Sequence, residues 1–107
     1  MIQLEIIHLR SSGEPVESLT ERIKESIREG GKEASTLTLY RRHGLETDLA
    51  VHVRRRATPG GEGPSDLALR LAAELRAYGL VEHTVWEELT AETPSVEVPI
   101  RNTGAAR

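Results

Sequence analysis

Four histidines, two tyrosines and one tryptophan carry most of the reactive chemistry available to this chain, which contains no cysteine. The missing thiols exclude disulfides, thiolate nucleophiles and cysteine-ligated zinc or iron–sulfur sites. His8, His43, His52 and His83 do not follow one another at i+4, and neither HxH nor HExxH occurs, so a metal site is not expected. Phosphate and hydrolase signatures are missing too: there is no GxSxG and no GxGxxG. The run Gly60-Gly61-Glu62-Gly63 lacks the lysine and hydroxyl residue with which a phosphate loop holds its nucleotide. The expected cofactor is therefore none.

These side chains must be positioned by six elements. Residues 2–9 alternate with the period of two of a strand. Pro15 suits the opening of a helix, because the first helical residue needs no amide hydrogen. Val16, Leu19, Ile23 and Ile27 then recur at spacings of three and four among charged residues, and Gly30 and Gly31 offer the left-handed residue that ends such a helix. Strands are expected at 34–41 and 48–55, joined by a hairpin in which Gly44 is free to take positive φ. Residues 57–64, with two prolines and three glycines, read as a mobile flap or as a plain linker. Ser65 is placed to cap a second helix whose positive end suits Asp66. Leu67, Leu71, Leu75 and Tyr78 make its apolar stripe, and Gly79 its stop. The last strand is expected at 80–89.

The order strand–helix–strand–strand–helix–strand describes a ferredoxin-like α+β sandwich: a four-stranded antiparallel sheet with both helices on one face. At 107 residues the chain makes one domain, expected over 1–90, with an extension over 91–107. Within the extension residues 95–100 alternate again, and Pro99 restricts them to an edge strand or an arm laid on a partner. The final residues are expected to be disordered.

A sheet covered on one side leaves the other side bare. The apolar sets predicted beneath the helices are Leu4 and Ile6; Leu37 and Leu39; Leu49, Val51 and Val53; Val81 and Val85. Alternation then puts Gln3, Glu5 and Ile7 on the bare face. With them go Thr36, Thr38 and Tyr40 from the second strand, Ala50, His52 and Arg54 from the third, and Thr84, Trp86 and Glu88 from the fourth. Such a surface is too polar for a second core and suits a partly apolar cavity between two copies of the sheet.

On that face His52 is the catalytic candidate, because it lies mid-strand and an unperturbed histidine, with a pKa of about 6.5, suits proton transfer. Tyr40 would hydrogen-bond a ligand oxygen or cap the interface. Trp86 would stack on a planar ligand or pack across the interface. Glu5 and Arg54 complete the candidate ligand-binding set. Glu5 and Glu88 would act as bases if desolvated, or pair with Arg42 or Arg54 across strands. His8 and His83 are expected on the helix side as structural histidines, with a β-bulge near Ile6-Ile7 as the route by which His8 would reach the cavity. His43, in the hairpin, is expected to be solvated.

The element order over residues 2–89, together with the segment Gly79-Leu80-Val81-Glu82-His83-Thr84-Val85-Trp86-Glu87-Glu88-Leu89, resembles the dimeric α+β barrel superfamily. Its members are small ferredoxin-like proteins whose sheets pair around a cavity. They include cofactor-independent monooxygenases of the antibiotic-biosynthesis type, heme-degrading relatives and stress-responsive barrel proteins. The resemblance implies a homodimer with its sheets face to face.

Composition narrows the function classes. The chain is 29% charged and 37% hydrophobic with a net charge of −3 and an isoelectric point near 5.8. It therefore lacks the general basic field of a nucleic-acid or anionic-membrane binder. Arg41-Arg42 and Arg54-Arg55-Arg56 read as solvated strand ends, and the paired aromatics of a sheet-surface RNA binder are missing. No signal-peptide pattern and no apolar run near the roughly 20 residues of a membrane span occur, so a cytoplasmic location is expected. Two functions fit. One is a small aromatic ligand in the dimer cavity, with monooxygenase-like or isomerase-like chemistry by His52 and orientation by Tyr40 and Trp86. The other is a non-catalytic binding or assembly module using the free sheet face and the C-terminal arm.

Overall fold

A computed structural model describes residues 1–30 and 35–93. Six elements follow in the order β1 (Ile2–Ser11), α1 (Val16–Gly30), β2 (Ser35–Arg41), β3 (Asp48–Arg56), α2 (Asp66–Leu75) and β4 (Gly79–Glu87). The strands form one antiparallel sheet in the order β2-β3-β1-β4, and both helices pack on one of its faces. This is the ferredoxin-like α+β sandwich. The expected arm at 95–100 lies outside the described residues. No helix among the described residues is long and apolar enough to cross a membrane.

Local chemistry explains the helix boundaries. The Pro15 carbonyl accepts the first α1 hydrogen bond, from Leu19 N at 3.2 Å. Ser65 caps α2 in an extended conformation (φ −82°, ψ 158°), its Oγ accepting from Ala68 N at 3.2 Å, and Asp66 sits at the positive end of the dipole. Helix α2 ends at Leu75, earlier than its apolar stripe suggested. A turn follows in which Tyr78 N donates to Leu75 O. Gly79 is thus the first residue of β4 rather than a helix stop, and its requirement for glycine is steric: a Cβ there would overlap the Arg10 carbonyl oxygen.

The core is aliphatic. Leu19 and Ile23 of α1 and Leu67, Leu71 and Leu75 of α2 close over Ile7, Leu9, Leu49, Val51 and Val53 of the sheet. Each such side chain contributes about 1.5–3 kcal/mol by leaving water.

One strand is inverted relative to expectation. Gln3, Glu5, Ile7 and Leu9 of β1 face the helices, and Leu4, Ile6 and His8 face the bare side. No bulge produces this, because β1 pairs with β3 without interruption from Ile2↔Arg56 to Arg10↔Asp48. The whole strand has the opposite phase. Ile7 and Leu9 draw it inward, and specific partners make burial of the two polar residues tolerable. Gln3 exchanges two hydrogen bonds of 2.8 Å with the Gly63 backbone. Glu5 accepts from Ser65 N at 3.0 and 3.2 Å. The 57–64 segment, tied to Gln3 and also to Arg55 through the Gly61 and Gly63 carbonyls, is a loop pinned to the sheet.

Candidate functional site

Register defines the bare face. His52 of β3 stands opposite Ile6 of β1 and Thr38 of β2, and Ile6 stands opposite Thr84 of β4. One row toward β3's start, Ala50 stands opposite His8 and Tyr40, and His8 opposite Glu82. One row the other way, Arg54 aligns with Leu4 and Thr36, and Leu4 with Trp86.

A hollow of about 320 Å³ opens on this face, lined on its apolar side by Ile6, Ala50 and Tyr40. That volume matches the lower end of small-molecule sites. His8, Asp48 and Thr84 also line it, and Arg41, Arg42 and Glu82 bring charge to it. The sequence-predicted residues separate around this hollow. Tyr40 lines it. His52 is not among the lining residues; its ring packs against that of Tyr40, with centroids 4.5 Å apart and planes inclined at 53°. Partial burial holds the His52 imidazole below the ordinary histidine value of 6.5, which favours the neutral ring. Trp86 is 56% exposed and donates from Nε1 to Thr84 Oγ1 at 2.9 Å. Arg54 pairs with Glu88 at 3.0 Å at the far end of the face.

Glu5 is not on this face. It is fully buried beneath the helices, where Oε1 lies 3.0 Å from His83 Nε2 and Oε2 lies 3.9 Å from Arg55 Nε. A carboxylate so enclosed anchors the α2 entry and has no path to a ligand in the hollow. His83 is on the helix side, as its alternation predicts.

His8 and Asp48 are the functional candidates that alternation misassigned or passed over. Asp48 is 1% exposed. Its Oδ2 meets His8 Nε2 at 3.0 Å, Arg42 Nη1 at 3.2 Å and Arg10 Nε at 3.9 Å. Burial raises the Asp48 carboxyl, but the His8 and Arg42 hydrogen bonds and the His8 and Arg10 charges outweigh it and hold it below 3.8. The ionised carboxylate only accepts, so His8 Nε2 donates and the neutral ring keeps its lone pair on Nδ1. Asp48 Oδ1 is buried and has no partner among the described residues. The available signal was a strand-initiating acid on the same parity as His52, between Arg42 and Arg10 in register.

The sequence matches no family model and no curated protein. Solved structures share the fold. Rv0793 from Mycobacterium tuberculosis aligns with a TM-score of 0.61 over 87% of this chain and 100% of that one, at 17% identity. SnoaB, a cofactor-independent oxygenase from Streptomyces nogalater, aligns with a TM-score of 0.58 over 84% of this chain and 95% of that one, at 18% identity. A second SnoaB structure gives 0.56 over 89% and 98%, again at 18% identity. At such identities the likeness establishes a common fold. The class is therefore that of ferredoxin-like α+β sandwiches.

Proposed function

We propose that the bare face binds one small planar aromatic molecule in a cavity closed by a second copy of the chain, and acts on it by cofactor-independent monooxygenation or isomerisation. The observation that carries this reading is the 320 Å³ hollow lined by Tyr40, with His52 set against the Tyr40 ring. Both reactions begin by moving a proton, and a neutral imidazole is the side chain suited to accept one near neutral pH. In this reading His52 takes the proton, Tyr40 and Trp86 orient the ring and Arg54 meets an anionic substituent. Removing a proton from an acidic CH₂ leaves an electron-rich carbanion. Dioxygen accepts its electrons, one oxygen atom becoming the carbonyl and the other leaving as water with the two hydrogens. The fold likeness to SnoaB, described as a cofactor-independent oxygenase, supports the same chemistry.

Closure by a second copy is supported by the apolar surface left on this face: Leu80 is 75%, Trp86 56% and Tyr40 49% exposed. Light scattering on a sizing column, followed by a panel of polycyclic phenols read through Trp86 fluorescence and melting temperature, tests the reading. A dimer stabilised by at least one such compound is expected, with turnover abolished in His52→Ala. A monomer that no compound stabilises would remove it. A dimer indifferent to every compound would favour the assembly module, whose interface the same apolar residues would serve.

A further inference from the structure

We propose that His8 is a second proton-transfer residue of the hollow, positioned by Asp48, and that it serves a planar phenol or enol whose acidic O–H meets Nδ1 while Tyr40, Ile6 and Ala50 flank the ring. This inference rests on the small-molecule reading and adds to it a residue and a substrate class. His8 lines the hollow itself, whereas His52 is not among its lining residues. His8 also has an orienting partner, the Asp48 carboxylate at 3.0 Å. No comparable bond holds His52 among the described residues.

The geometry fixes what the ring can do. Asp48 takes the Nε2 hydrogen, so the lone pair of Nδ1 is available, and Nδ1 has no protein partner among the described residues. When a phenol or enol enters, its O–H bond breaks and the Nδ1–H bond forms. The electron pair stays on the ligand oxygen, and the new imidazolium is balanced by the carboxylate beside it. Returning the proton reverses each step. The groups bearing on His8 come from every neighbouring element: Arg10 from β1, Asp48 from β3, Arg41 and Arg42 from the end of β2 and its connection, and Glu82 directly across on β4. The two arginines that reach Asp48 do so on the same oxygen that His8 uses, which holds the carboxylate in place.

The test has two arms. Long-range ¹H–¹⁵N spectra of the ligand-free protein, taken where the His8 ring is neutral, should show hydrogen at Nε2 and a bare Nδ1; the opposite tautomer would overturn the proposal whatever binds. In the second arm 4-nitrophenol, whose ionised form absorbs in the visible, is titrated into the protein. Wild type should bind it in the ionised form and gain the proton at His8 Nδ1. His8→Gln, which can still donate to Asp48, should lower the ionised-to-neutral ratio of the bound dye by about tenfold, one pKa unit. Asp48→Asn should mix the His8 tautomers, and Lys24→Gln, exposed on α1 on the other side of the sheet, should change nothing. Equal ionisation in His8→Gln, or binding without ionisation in wild type, refutes the role of His8 and leaves the small-molecule reading standing. Failure of both 4-nitrophenol and 2-naphthol to bind wild type at millimolar concentration removes the reading and the proposal together.

Discussion

His83 Nε2 and Glu5 Oε1 lie 3.0 Å apart on the helix-covered side of the sheet, joining the central strand to its edge neighbour beneath α2. The same carboxyl accepts both bonds from Ser65 N, the cap residue of α2. One buried side chain therefore fixes the β4 edge, the helix entry and, through Arg55 at 3.9 Å, the β3 end.

Removing it should be costly. Glu5→Ala leaves the Ser65 amide and the His83 ring without their acceptor in a closed interior, and should lower stability by about 3–5 kcal/mol. Glu5→Gln keeps an accepting oxygen and should cost clearly less. Urea unfolding of both variants measures the difference; equal losses would mean that the charge, rather than the bonding, is what matters.

Gly79 makes a separate prediction. Gly79→Ala would drive a Cβ into the Arg10 carbonyl across the β1–β4 ladder. The strands must part locally, at about 1–3 kcal/mol. Hydrogen exchange should quicken at Ser12, whose N–H donates to Tyr78 O, before it does at the β1–β3 pairs, and uniform protection would contradict the steric account.

The architecture was legible because it depends on periodicity. Leu19 with Ile23, Leu67 with Leu71 and Leu75, and Leu49 with Val51 and Val53 each repeat at the spacing of their element, and all of them are core. The face of β1 was not legible in the same way. Its apolar residues split between parities, Leu4 and Ile6 against Ile7 and Leu9, so local alternation pointed one way and packing the other. What decides is tertiary: Gln3 and Glu5 find the Gly63 and Ser65 backbones sixty residues on, and no window on β1 contains those partners. The misplacement carried through to the site, exchanging Glu5 for His8. Asp48 was passed over because an acid at a strand start reads as solvated until Arg10, Arg42 and His8 are seen to cover it.

The acid side of the stability profile should report Asp48 and His52 separately. Both groups have folded-state pKa values below their ordinary ones, so each contributes stability above its ordinary value and loses it as pH falls through the folded value. For His52 the loss begins as pH drops below about 6.5, for Asp48 below about 3.8. His52→Gln should flatten the melting-temperature curve in the first window and leave the second. Asp48→Asn should remove the loss in the second window, at the cost of a lower plateau at neutral pH. Curves that keep the wild-type slope in the matching window would contradict these assignments.

Leu80 is the most direct probe of how the bare face is covered. It is 75% exposed, on the same parity as Trp86 and Thr84 and opposite Arg10, so a charge there should leave the monomer fold intact. If two copies stack their sheets, Leu80→Glu places a carboxylate in a closing apolar surface, and the dimer dissociation constant should rise about tenfold or more. The melting temperature of the separated chain should be unchanged. Leu69→Glu, on the outer side of α2 and also exposed, should leave association as it was. Sedimentation of the two variants decides between the faces: weakening by Leu69→Glu alone would mean that the copies meet through the helices and that the hollow stays open to solvent.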